Sequence, residues 1–278
     1  MGLSNVCAIL GYGFDGNPIA KILKESHPNS KEVQNQQISN SPQEVPGKVF
    51  NLALRLYSET CKIVLRRFGD PNTLSFLHVN LVFLYHLTFH ENAMSYVAPH
   101  FPWKLAAQML NTLLGSYQAD QDRAALLARI EEDNFPSFPS STPTTSASQS
   151  NATIIVLPRP LPDDFALRGF SWVEHYFPKN NEDRSKDWFA NDRINDDEKY
   201  FEMPSMTEER KERCLWLGCR IAKQGKDRWL QYDIQTHTFS TSSEFEGDSR
   251  KYARQQTPTT PTDTSQLELG EFPDATHS

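Results

Sequence analysis

The sequence is short of several features that would fix its class at once. It has only four cysteines (Cys7, Cys61, Cys214, Cys219), none in a C-x-x-C pair, so neither a zinc ribbon nor a disulfide framework is indicated. They read as reduced thiols of a cytosolic or nuclear protein. No unbroken stretch of 18 apolar residues occurs, which leaves no candidate spanning helix. The N-terminus lacks the basic region of a signal peptide, and Val6 stands where a myristoylation pattern needs Ser or Thr. The expectation is therefore no membrane partner. An excess of basic charge is missing too: the formal net charge is −7. That argues against indiscriminate nucleic-acid binding by the whole chain and leaves local patches open. Hydrophobic residues make up 38% and mean hydropathy is −0.59, low for a fully packed globule, so part of the chain is expected to be disordered.

What is present is organised around residues 72–90, NTLSFLHVNLVFLYHLTFH. Its apolar residues cover nearly the whole helical circumference, the pattern of a helix buried on several sides. His78, His86, His90 and Asn80 interrupt it, and Asn72 stands where an N-cap would. Residues 48–68 read as an amphipathic helix. Val49, Leu52, Ala53, Leu56, Tyr57, Ile63, Val64 and Phe68 are its expected buried set. The opposite face carries Lys48, Arg55, Lys62 and Arg66, flanked by Arg67, with Glu59 the only acid inside the helix. Such a row can track phosphates, or it can simply keep the helix soluble.

Further helices are expected over residues 102–117, 122–131 and 205–223, the last opened by a Ser205/Glu208 capping box. Asp163 and Asp164 are expected to open a helical segment running to Pro178, favoured there by the helix dipole. Trp188 and Phe189 read as anchors onto the bundle. Trp229 to Tyr232 and Thr238 to Phe239 suggest a small hairpin.

Three chemical motifs are present in letter only. Gly11, Gly13 and Gly16 spell G-x-G-x-x-G, but no second strand or ribose-binding acid follows in the polar residues 27–46. His86 and His90, four apart, share a helix face as zinc ligands can, but no acidic or thiol partner stands at ligand spacing, so they read as packing or cap histidines. Asp192, Asp196, Asp197 and Glu198 lie in one loop and read as surface acids. With no nucleophile–base pair either, neither catalysis nor a cofactor or metal is expected.

The fold class that follows is all-α: stacked helical hairpins, a solenoid or bundle, with a small C-terminal β-hairpin. Residues 1–46 are expected to be a poorly ordered remnant of a preceding region. A helical core spans 47–134, a Ser/Thr/Pro-rich linker 135–157 and a second helical part 158–240. A disordered acidic tail occupies 241–278.

Five stretches then resemble, in order, a known family. They are FLHVNLVFLYHLTF (76–89), PHFPWKLAAQMLNTLL (99–114), LPDDFALRGFSWVEHYFP (161–178), DDEKYFE (196–202) and MTEERKERCLWLGCRIA (206–222). Together they resemble the DNA/RNA-binding domain of the Est/Smg family, of fungal type. That family comprises telomerase-associated "ever shorter telomeres" proteins and Smg factors of nonsense-mediated mRNA decay. The likeness covers roughly residues 48–240. It implies a helical-hairpin domain that normally follows a TPR-like (tetratricopeptide-like) phosphoserine-binding domain, for which the residues before position 48 are too few. No αβ pattern for a PIN nuclease follows residue 240.

The function expected on this resemblance is non-catalytic binding of RNA or single-stranded DNA, in mRNA decay or telomere maintenance, in nucleus and cytoplasm. Lys48, Arg55, Lys62, Arg66 and Arg67 are the candidate contacts. The alternative is a protein–protein scaffold among mRNA-decay or telomerase-complex proteins, without direct nucleic-acid contact.

Overall fold

Eleven of the 14 residues in Leu74–Leu87 are buried, which a helix can achieve only with neighbours on all sides. In the computed structural model this helix sits at the centre of the molecule. The structure describes residues 1–26, 47–133, 135, 160–173, 175–178, 188–189 and 204–246. The loop acids Asp192, Asp196, Asp197 and Glu198, nearly all of the Ser/Thr/Pro linker and the tail beyond Glu246 lie outside the described residues.

The helices in chain order are α1 (Gly2–Ile9), α2 (Pro18–Glu25), α3 (Lys48–Leu65), α4 (Leu74–Leu87), α5 (Glu91–Val97), α6 (Trp103–Gly115), α7 (Asp120–Glu131), α8 (Pro162–Leu167) and α9 (Pro204–Gln224). A hairpin of β1 (Leu230–Asp233) and β2 (Thr238–Thr241) follows, then a single turn, α10 (Ser243–Glu246). The expected all-α architecture with a small C-terminal hairpin is what the described residues form. α9 lies along α4, while α7, α6 and β1 pack around α9.

Several expectations need correction. Residues 1–26 are not poorly ordered: Val6, Ile9 and Ile19 are fully buried, and α1 packs on both α3 and α4. The glycine triplet joins two helices, not a strand and a helix. A tight turn at Gly11–Gly13 leads to Asn17, whose side chain accepts from Ile19 N and Ala20 N and caps α2. Before α4 the capping carboxylate belongs to Asp70, which accepts from Asn72 N at 3.0 Å; Asn72 is not the cap. The last helix starts at Pro204, a residue suited to a first helical turn, so Ser205 is inside it; Glu208 pairs with Lys211 at 2.7 Å.

The largest correction concerns Asp163 and Asp164. α8 stops at Leu167, because Gly169 takes a left-handed φ of 93° that ends the helical path. The two carboxylates do not face solvent at a helix start. Both are buried, and both meet arginines of α9. Arg210 reaches Asp163 with Nη2 at 2.7 Å and Nε at 3.0 Å. Arg213 Nη1 donates to Asp164, whose Oδ2 also accepts the Leu161 N–H at 2.7 Å. His78 of α4 completes the cluster. Its Nδ1 contacts Asp163 and its Nε2 lies 2.7 Å from the Tyr176 hydroxyl, which donates to Asp164 at 3.0 Å. Arg213 is further stacked over Phe135 and Trp188, so Trp188 does anchor onto the bundle.

Around this centre, smaller contacts fix the periphery. Arg129 of α7 is bidentate to Glu212 of α9, at 2.6 and 3.0 Å. The end of α7 is closed by α9, where Arg220 and Trp216 donate to the carbonyls of Glu131 and Glu132. Asn111 of α6 both donates to and accepts from the Phe239 backbone at 2.8 Å, as a neighbouring strand would. Gly218 makes this approach possible: a Cβ there would come within 2.9 Å of both Leu110 and Phe239.

Two outcomes follow from the buried charges. Arg213→Met leaves Asp164 charged and unpaired, so it should destabilise the protein by about 3–5 kcal/mol. In a thermal melt that is a fall in Tm of roughly 6–20 °C. Arg213→Met combined with Asp164→Leu should lose less than the sum of the two single changes. Burial alone would raise the Asp163 carboxyl, but His78 and Arg210 outweigh it and hold the group well below the usual carboxylate range. Its stabilising contribution is therefore complete above about pH 4, the unfolded value, and is lost as pH falls below that. Acid titration of Tm should show a steeper drop below about pH 4 in the native chain than in Asp163→Asn.

Candidate nucleic-acid interface

The exposed side of α3 follows from which of its residues face inward. At 100° per residue, Phe50, Leu54, Tyr57, Ser58, Cys61 and Leu65 share an arc of about 100°, and all six are buried. Phe50 meets Tyr96 edge-on at 5.8 Å, Tyr57 packs on Phe101 at 6.3 Å, and Ser58 Oγ donates to the His100 carbonyl at 2.6 Å.

This differs from the buried set expected from sequence. Val49, Leu52, Leu56 and Ile63 are 81, 56, 57 and 65% exposed, and Phe68 is 44% exposed. Helix α3 carries two apolar rows, and periodicity alone cannot say which one the core takes. The spacing of Phe50, Leu54, Tyr57, Cys61 and Leu65, at intervals of 4, 3, 4 and 4, was the available signal for the true inner face.

The basic row lies beside, not opposite, the aliphatic residues that were expected to be buried. Lys48, Arg55, Lys62 and Arg66 fall in an arc of about 40° on the outer side, over a rise of about 27 Å. Lys48, Arg55, Arg66 and Arg67 are exposed and Lys62 is half-buried. Their electrostatic surroundings differ. Lys62 pairs with Glu59 at 2.8 Å, and Arg67 with Asp70 at 2.7 Å. Among the described residues, no carboxylate pairs with Lys48, Arg55 or Arg66. Lys62 also lies near His100, whose imidazole is pushed down first by burial and then by that ammonium. The aliphatic row of Leu52, Leu56, Ile63 and Val49 runs directly beside the cations. The outer face of α3 is thus a basic stripe edged by an apolar one.

The other chemically capable groups are elsewhere. Cys61, Cys214 and Cys219 are buried, and burial raises each thiol far above its ordinary value, so none is a thiolate at neutral pH. His86 and His90 are joined by His175, from the segment after α8: one ring nitrogen of each lies within 4.8 Å of the others. Sequence spacing gave no sign of His175, which stands 85 residues beyond His90. No family model, no curated protein and no solved structure matches this chain.

The exposed aliphatic row gives a direct check on the α3 assignment. Leu52→Ser, Leu56→Ser and Ile63→Ser should each change stability by no more than about 0.5 kcal/mol, as surface changes do. Leu54→Ser should cost several-fold more in the same denaturant titration, because it places an unpaired hydroxyl in the core.

Proposed function

We propose that this chain is a non-catalytic helical binding module of an Est/Smg-like protein, and that it engages RNA or single-stranded DNA along the outer face of α3. The observation that carries this reading is the row of cations along about 27 Å of one helix, three of them with no carboxylate partner among the described residues. Phosphates are the natural complement of such a row, because each pairing releases condensed counterions. The row is long enough to follow several nucleotides of a strand.

The placement of the family-like stretches supports the kinship. His78, Asp163, Asp164, Tyr176, Arg210 and Arg213 come from three separate resembling segments, and they meet in one buried cluster. A likeness confined to generic amphipathic helices would not supply paired acids and arginines that find each other. On this kinship the module acts in nonsense-mediated mRNA decay or telomere maintenance, in nucleus and cytoplasm.

The exposed aliphatic row favours a second reading, a scaffold docking a partner protein of such a complex. An apolar strip edged by cations suits an amphipathic segment with an acidic flank.

Fluorescence anisotropy of the full chain with a single-stranded RNA or DNA oligonucleotide, across a salt series, separates the two. If Lys48, Arg55 and Arg66 each neutralise one phosphate, log affinity against log salt should slope at about −2; engagement of all five cations would steepen it to about −3.5. Arg55→Glu with Arg66→Glu should flatten the slope, and Leu52→Ser with Leu56→Ser should leave it unchanged. Absence of binding at the lowest salt would remove nucleic acid as the direct ligand. Loss of a captured protein partner on the leucine changes alone would establish the scaffold.

A further inference from the structure

At the far end of α4 from Asp70, three imidazoles converge without belonging to the charge cluster or to the α3 face. His86 lies in the last turn of α4, His90 opens α5, and His175 comes from the segment that follows α8. The rings are packed in series: His86 to His90 at 4.8 Å, His86 to His175 at 5.3 Å, and His175 stacked on Phe89 at 4.0 Å. One nitrogen from each falls within 4.8 Å of the others. His86 is 5% exposed, and its Nδ1 is buried with no hydrogen-bond partner. A buried polar atom in that condition is costly and calls for an explanation.

We infer that His86, His90 and His175 form a binding site for a single divalent transition-metal ion of the zinc class. Three imidazole nitrogens are the donor set of an open tetrahedral site, with a fourth position left for water. Zinc–nitrogen bonds of about 2.0–2.1 Å put neighbouring ligand nitrogens about 3.4 Å apart. The cluster therefore has to contract by roughly 1.4 Å at most, well within the reach of side-chain rotation. His90 and His175 are only half-buried. His86 and His90 stand on either side of the turn that joins α4 to α5, and the ion would tie the segment around His175 to the end of α4.

The test uses the full chain, stripped with chelator and titrated with Zn2+ against a chromophoric competitor, and with Co2+ for its visible spectrum. A Cys7→Ser background removes the one half-exposed thiol. The expected result is one Zn2+ per chain, a Tm that rises with Zn2+, and a Co2+ band of tetrahedral intensity. His90→Gln and His175→Gln replace half-buried residues and should leave the metal-free Tm nearly unchanged. Each should weaken Zn2+ more than about 100-fold, since losing even an outer-shell partner costs about 10- to 100-fold. The inference is overturned if the native chain retains no Zn2+ at micromolar concentration. It is equally overturned if both glutamine variants, still folded by their melts, bind Zn2+ as the native chain does.

Discussion

Two adjacent carboxylates removed from water can persist only where cations meet them, and this requirement organises the molecule. Asp163 and Asp164 sit on a helix of one and a half turns, too short to hold itself together. What fixes it is the pair of guanidinium groups from α9, with His78 of α4 closing the third side. A slide of one residue along the axis of α9 would break the ion pairs, because it moves an arginine by about 1.5 Å and turns it by about 100°. The cluster therefore sets the register of α4 against α9, and α7 and the hairpin inherit that register through α9.

How much of this could be read from the chain alone depended on whether the signal was local. The continuous apolar circumference of residues 74–87 left one interpretation, and so did the turn chemistry between Tyr232 and Thr238. Helix α3 offered two apolar rows, and choosing between them required knowing that α1 and the Tyr96–Phe101 region cover the row through Phe50 and Leu65. Asp163 and Asp164 invited a dipole explanation because acids in a first turn are common. Their true partners stand about 47 and 49 positions later, a distance no local pattern reports. The histidine cluster failed to register for the same reason. Of the candidate nucleic-acid contacts, the positions on the helix were legible, but their pairing state was not: Asp70 captures Arg67 only because the turn after α3 brings it back.

The N-terminal helices change how the α3 face should be regarded. With α1 pressed on the inner side of α3 and on α4, the helix is held from within by Val6 and Ile9 and presents its other half to water. The backbone of a helix anchored in this way spends no ordering entropy when a ligand arrives; only its side chains do. Its cations are spaced by the helix itself at roughly 10, 10 and 6 Å. Rigid spacing of that kind suits a ligand with regularly repeated charge better than a single small anion.

The hairpin is held to the bundle by the amide of Asn111, which satisfies both backbone groups of Phe239. An unpaired strand margin is where foreign chains attach by extending a sheet, in recruitment and in aggregation alike. Here one side-chain amide occupies that margin at its midpoint, so a peptide cannot lengthen the sheet there without first displacing α6. That margin of the hairpin is therefore closed to an added strand.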